Sequence, residues 1–125
     1  MEYGGLTEGI IGCAYRAYNQ LGFGFLESVY HKCMLIELRR GGMEAASQQP
    51  IVVRYDDEVV GEFVADIVVE DTIIVELKSV RRLVLSHEIQ LVNYLVATGK
   101  PVGLLLNFGE TKVEVKRKVR ELRGN

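Results

Sequence analysis

A chain of 125 residues with 48% hydrophobic and 26% charged side chains has ordinary globular composition, enough for one domain with a buried core. That balance excludes a disordered tail, and a formal net charge of −2 excludes binding to polyanions by bulk charge alone. No apolar run approaches the ~18 residues of a membrane span, and the opening MEYGGLTEG lacks the basic start and apolar stretch of a signal peptide. Two cysteines without CxxC spacing make no disulfide framework. A cytoplasmic protein with no membrane segment is expected.

In chain order, the first element reads as a helix. Thr7 stands where a cap is needed, and Ile10, Ala14, Ala17, Tyr18 and Leu21 recur at helical spacing. Gly22 and Gly24 break the pattern. A second helix is expected from Leu26 to Arg40, with Leu26, Val29, Tyr30, Cys33 and Ile36 inward and Gly41-Gly42 as its stop. The period then changes to two. Gln49–Tyr55 reads as a strand, Asp56-Asp57-Glu58 as a turn and Val59–Val69 as a longer strand. Glu70-Asp71-Thr72 leads into Ile73–Lys78. Ser86 is expected to cap a third helix that Gly99 ends. Val102–Asn107 is nearly all apolar, as in a strand buried on both faces, and Val113–Val119 alternates as a last strand. The order α-α-β-β-β-α-β-β predicts an α+β fold, a mixed sheet with helices packed on it. With no repeat or linker, residues 1–125 read as a single domain.

Acids occupy two unusual places. Asp66 interrupts the apolar strand FVADIVV, and Glu76 with Lys78 interrupts IIVELK. Period-two geometry puts Ile74, Glu76 and Lys78 on one strand face. Charges buried there need partners: each other, water or a metal. An edge strand with a solvated polar face would carry the same pattern. E-x-K alone says little, since Glu114-Val115-Lys116 repeats it. Only the first copy follows an acid inside an apolar strand and precedes a helix with His87, Gln90 and Tyr94 on one face. A three-residue loop over residues 70–72 would set Asp66 opposite Glu76. A two-residue loop would turn Asp66 to the other face, unless a bulge intervened.

Gly24-Phe25-Leu26-Glu27-Ser28-Val29-Tyr30 matches the motif for which the GxxExxY proteins are named. Gln49-Pro50-Ile51, Asp66, Glu76-Leu77-Lys78, Gln90 with Tyr94, and LLLNFG follow in that family's order. The chain thus resembles the GxxExxY family over nearly its whole length, and that family is similar to the PD-(D/E)XK nuclease superfamily. The resemblance implies a restriction-endonuclease-like core and a metal-dependent nuclease that hydrolyses phosphodiester bonds, with DNA rather than RNA as substrate. It implies that Asp66, Glu76 and the backbone carbonyl of Leu77 hold Mg²⁺ or Mn²⁺, with Glu27 as a further ligand, directly or through water. Lys78 would orient or deprotonate the attacking water, and Gln90 and Tyr94 would hold the phosphate or the lysine. Ala65 stands where the superfamily's name has proline.

The other features have plainer readings. His87 reads as a first-turn residue, and with His31 the only other histidine there is no zinc-type cluster. Cys13 and Cys33 read as small packing residues, Tyr15 and Tyr18 as core or interface aromatics. Charge is uneven: residues 112–125 hold six Lys/Arg and two Asp/Glu, leaving nine basic against fifteen acidic elsewhere. Arg81, Arg82, Lys100, Lys116, Arg117 and Lys118 are candidates to track a phosphodiester backbone, and a homodimer would join two such strips. The alternative is a catalytically inactive module on the same fold that binds nucleic acid or protein.

Overall fold

The computed structural model describes residues 2–120. Its elements follow the expected order: α1 (Gly4–Leu21), α2 (Glu27–Arg40), β1 (Ala45–Tyr55), β2 (Glu58–Val69), β3 (Ile73–Lys78), α3 (Leu85–Thr98), β4 (Val102–Phe108) and β5 (Val113–Val119). The strands form one mixed sheet whose spatial order equals the chain order. Every neighbouring pair is antiparallel except β3–β4, which α3 bridges as the crossover a parallel pair requires.

Two apolar clusters fill the two sides of the sheet. On one side Ile10, Cys13, Ala14 and Ala17 of α1 and Tyr30, Met34 and Leu38 of α2 pack on Ile73, Val75, Leu77, Leu104 and Leu106. On the other, Leu91, Tyr94 and Leu95 of α3 pack on Ile51, Ala65, Ile74 and Leu105. Alternation along β3 thus sends Val75 and Leu77 to the α1/α2 side, and Ile74, Glu76 and Lys78 to the α3 side. β4 is buried along its whole length, as its apolar run foretold. Alternation breaks once in β2: Ile67 lies in the first cluster, Ala65 in the second. The break falls at Asp66, and Gln48, across from it in β1, has a positive φ of 54°.

Four local expectations need correction. α1 begins at Gly4, so Thr7 is an interior residue whose hydroxyl donates to the Gly4 carbonyl (3.0 Å). α2 buries Tyr30, Met34 and Leu38, an i, i+4, i+8 line, while Leu26 (76% exposed) and Ile36 face outward. Apolar character alone did not separate the two faces of that helix. α3 begins at Leu85, and His87, not Ser86, closes its first turn: the Val84 N–H donates to His87 Nδ1 (3.3 Å). The turn at the tip of β1–β2 is Asp56-Asp57, both at positive φ, with Glu58 already in β2.

Cys13 and Cys33 are both free thiols; Cys13 packs inside, and burial pushes its thiol up. The Tyr15 and Tyr18 hydroxyls donate to the carbonyls of Val113 (3.2 Å) and Gly109 (2.6 Å), which seats α1 on the sheet. Among the described residues no helix is long and apolar enough to cross a membrane.

Candidate active site

The β2–β3 loop is the three-residue one. Val69 pairs with Ile73, Val68 with Ile74 and Ile67 with Val75, a register that brings Asp66 opposite Glu76. At this point side chains take over from the backbone ladder. The Asp66 N–H donates to Glu76 Oε2 (2.8 Å), and the Leu77 N–H donates to Asp66 Oδ2 (2.8 Å). Each carboxylate uses one oxygen on an amide of the opposite strand and has a second to offer.

Glu76 is 7% exposed. Burial, then the neighbouring Asp66 charge, pushes its carboxyl from 4.5 to about 8; the Asp66 N–H and the Lys78 charge pull the other way, and Glu27 adds to the rise. Tyr94 is also buried; desolvation first, then the charges of Glu76 and Asp66, raise its phenol, against a hydrogen bond with Gln90. The charge at Glu76 is thus coupled to Asp66, Lys78 and Glu27, and the Tyr94 phenol to both acids and to Gln90.

Glu27 is the exposed first residue of α2, where the helix dipole favours an acid. The rest of the GxxExxY motif builds its platform. Gly24 has φ 114°, a conformation open to glycine. Tyr30 is fully buried and stacks on Phe108 at 4.2 Å; its hydroxyl donates to the Gly22 carbonyl and accepts the Phe25 N–H (3.4 Å). The Ser79 hydroxyl donates to the Phe25 carbonyl (2.7 Å), locking this loop to the end of β3.

Asn107 has no assigned role in the sequence reading, yet it holds the site's far wall. It is fully buried, accepts the Val80 N–H (2.9 Å) and donates to the Val80 carbonyl and to Glu114 Oε1 (both 2.8 Å). The available signal was one amide inside an otherwise apolar strand, which a buried position tolerates only with its bonds satisfied.

The basic residues do not form one strip. Arg81 and Arg82 are exposed just beyond β3, beside Lys112. Lys100 sits before β4, at the opposite end of β3 from Lys78, and pairs with Asp71 (2.9 Å). Alternation along β5 divides its run: Lys118 reaches Glu88 of α3 (2.6 Å), whereas Arg117 donates to the Glu2 carbonyl (2.6 Å). Glu121 and Arg123 lie outside the described residues.

Among the described residues no group of three or more His, Cys, Asp or Glu is arranged to hold a metal. His31 is engaged with Ser47 (2.8 Å). The donor set that the sequence resemblance implies is the two carboxylates and the Leu77 carbonyl, of which the structure joins Asp66 to Glu76 through backbone amides. That set is too sparse for an all-protein cage but suits a hard divalent ion that keeps several waters. A buried carboxyl driven to about 8 also fits a site completed by positive charge.

A mixed sheet with helices on both faces and paired acids on adjacent strands defines a nuclease-like α+β class. The sequence model of the PD-(D/E)XK nuclease superfamily matches residues 5–118, and the chain belongs to that superfamily. Among solved structures, the crystal structure of SSO0001 superposes with a TM-score of 0.63 at 17% identity, over 77% of this chain and 51% of that one. The likeness shows the fold alone, and the chain spans about half the length of SSO0001. No curated protein matches the sequence.

Proposed function

We propose that this chain is a divalent-metal-dependent nuclease of the GxxExxY kind, a single PD-(D/E)XK domain over residues 1–125 that cuts phosphodiester bonds, in DNA rather than RNA. The observation that carries the reading is the mutual bracing of Asp66 and Glu76 through backbone amides, with Lys78 on the same face of β3. Asp66, Glu76 and the Leu77 carbonyl would hold Mg²⁺ or Mn²⁺, with Glu27 contributing directly or through water. Such an ion supplies charge stabilisation at the phosphate and an acidified water. Lys78 orients that water or neutralises charge on the phosphate. Gln90 and Tyr94 hold the phosphate or the lysine, and Arg81 and Arg82, which follow Lys78 closely in the chain, steer the backbone inward.

The test is single-turnover cleavage of labelled single- and double-stranded DNA and RNA in Mg²⁺ or Mn²⁺. Cleavage abolished by EDTA and by Lys78→Ala is the expected result. Absence of both cleavage and Asp66-dependent metal binding would replace the enzyme with a binding module on the same fold.

A further inference from the structure

A groove of about 850 Å³ separates the β1–β2 arm from α3, and two residues of the candidate site, Gln90 and Tyr94, form part of its wall. Its volume lies in the ~300–1,000 Å³ range of pockets that take small organic groups. On the arm side stand Val52, Arg54 and Phe63, on the helix side Ile89. Phe63 is 45% exposed and Ile89 49%, so the groove presents bare apolar surface in a chain that buries its core elsewhere. The Phe63 ring lies 5.7 Å from that of Tyr94, tilted by 43°. Phe63 is three residues before Asp66 on the same strand, and the Tyr94 phenol responds to the charges of Glu76 and Asp66. One aromatic thus lies in the open and its neighbour is buried under it on α3.

We infer that this groove receives an unpaired stretch of the substrate strand, one base stacking on Phe63 while the adjoining phosphate lies at Asp66 and Glu76. The inference rests on the proposed nuclease reading and narrows its substrate to single-stranded or frayed nucleic acid. Three features favour that occupant over a folded partner. The groove shares Gln90 and Tyr94 with the candidate site. Its one charged wall residue is Arg54, matched to a phosphate. It is concave, and a base can stack on Phe63 only once it has left a duplex stack.

The test is fluorescence anisotropy with a short labelled DNA strand and with its duplex, in Ca²⁺ so that binding is read apart from cleavage. The single strand is expected to bind ~10-fold or more tightly than the duplex. Phe63→Ala should weaken single-strand binding about tenfold or more and leave the duplex unchanged, with Phe63→Trp restoring it. Ile89→Glu, on the opposite wall, should weaken the strand similarly by repelling phosphate, and melting curves of both variants establish that they fold. Equal affinity for strand and duplex, or single-strand binding indifferent to both substitutions, overturns the inference. So does conversion of a dimer to a monomer by Phe63→Ala in light scattering with strand affinity unchanged, which would make the groove an interface between copies. Phe63-dependent strand binding without cleavage in Mg²⁺ or Mn²⁺ would sink the nuclease reading and keep the groove. Lys78-dependent cleavage of duplex, unaffected by Phe63→Ala, would do the reverse.

Discussion

Asp66 and Glu76 each spend one carboxylate oxygen on a backbone amide of the other's strand, at 2.8 Å in both directions. Once the pH exceeds about 8 and Glu76 ionises, two like charges are therefore held together by the strands that carry them. In Asp66→Asn the side-chain oxygen still accepts the Leu77 N–H, while the repulsion of Glu76 disappears. The variant should melt about 2–6 °C higher than the parent above about pH 8 in EDTA, where Glu76 is ionised, and lose divalent-metal binding. A lower melting temperature would mean that the fold needs the Asp66 charge.

Glu76 sets a pH dependence of definite sign. Its carboxyl is raised from 4.5 to about 8, so between those values the folded chain keeps a proton that the unfolded chain releases. The stability this contributes is fully present below about 4.5 and is lost as the pH rises through about 8. Denaturant titrations of the metal-free protein should show a decline on the order of a few kcal/mol across that window, flattened in Glu76→Gln. Metal affinity should run the opposite way, rising towards pH 8, because the ion needs the ionised carboxylate. A metal affinity independent of pH would remove Glu76 from the ligand set.

Asn107 ties β4 to Val80 through two bonds and to Glu114 through a third. Asn107→Ala leaves these groups without a partner in a buried place, at a cost of about 2–4 kcal/mol. Amide exchange at Val80 should accelerate more than exchange in α1. Uniform acceleration would point to loss of global stability alone.

Gly103 lies on β4 beneath α3, where an added Cβ would meet Leu91 Cδ1 at 2.7 Å and Leu91 Cγ at 3.0 Å. Leu91 is fully buried and adjoins Gln90 in sequence. Gly103→Ala should therefore destabilise by about 1–3 kcal/mol through overpacking. It should also push α3 outward, with shifted NMR resonances at Gln90 and Tyr94. Unchanged stability would show that the contact relaxes without moving the helix.

Tyr30 separates the structural part of the GxxExxY motif from its chemical part. Tyr30→Phe keeps the stack on Phe108 but removes the bond to Gly22, so the loss expected is about 1 kcal/mol, with metal affinity retained. Glu27→Gln should show the converse: little change in melting and weaker metal binding. Equal effects on both readouts would contradict that division.

Much of this architecture was readable from the sequence because it rests on period and punctuation. The strand runs, the Gly99 stop and the Glu70–Thr72 stretch follow from local chemistry, while Asp66 across from Glu76 was conditional on a three-residue loop or a bulge, and the structure has the three-residue loop. The misreadings concern what lies on the other side of an element. Which stripe of α2 faces the sheet depends on where α1 and β3 sit, so Leu26 and Ile36 were expected inward and point outward. Lys116, Arg117 and Lys118 are consecutive in sequence but divided between two faces by the pleat. Asn107 and Ser79 act through partners 27 and 54 residues away, and no local pattern reports such a distance.

The Glu70–Thr72 loop also acts as a ruler. Its residues can be exchanged for others that accept the positive φ of positions 70 and 71 without changing where the two acids face. Its length cannot, since inserting or deleting one residue rotates one strand's side chains through to the opposite side of the sheet. Among homologous chains that keep the chemistry, this loop should therefore vary in letters, within that limit on positions 70 and 71, and hardly at all in count. A chain with a shorter or longer loop and no compensating bulge would retain both acids in its sequence and yet have lost them as a pair.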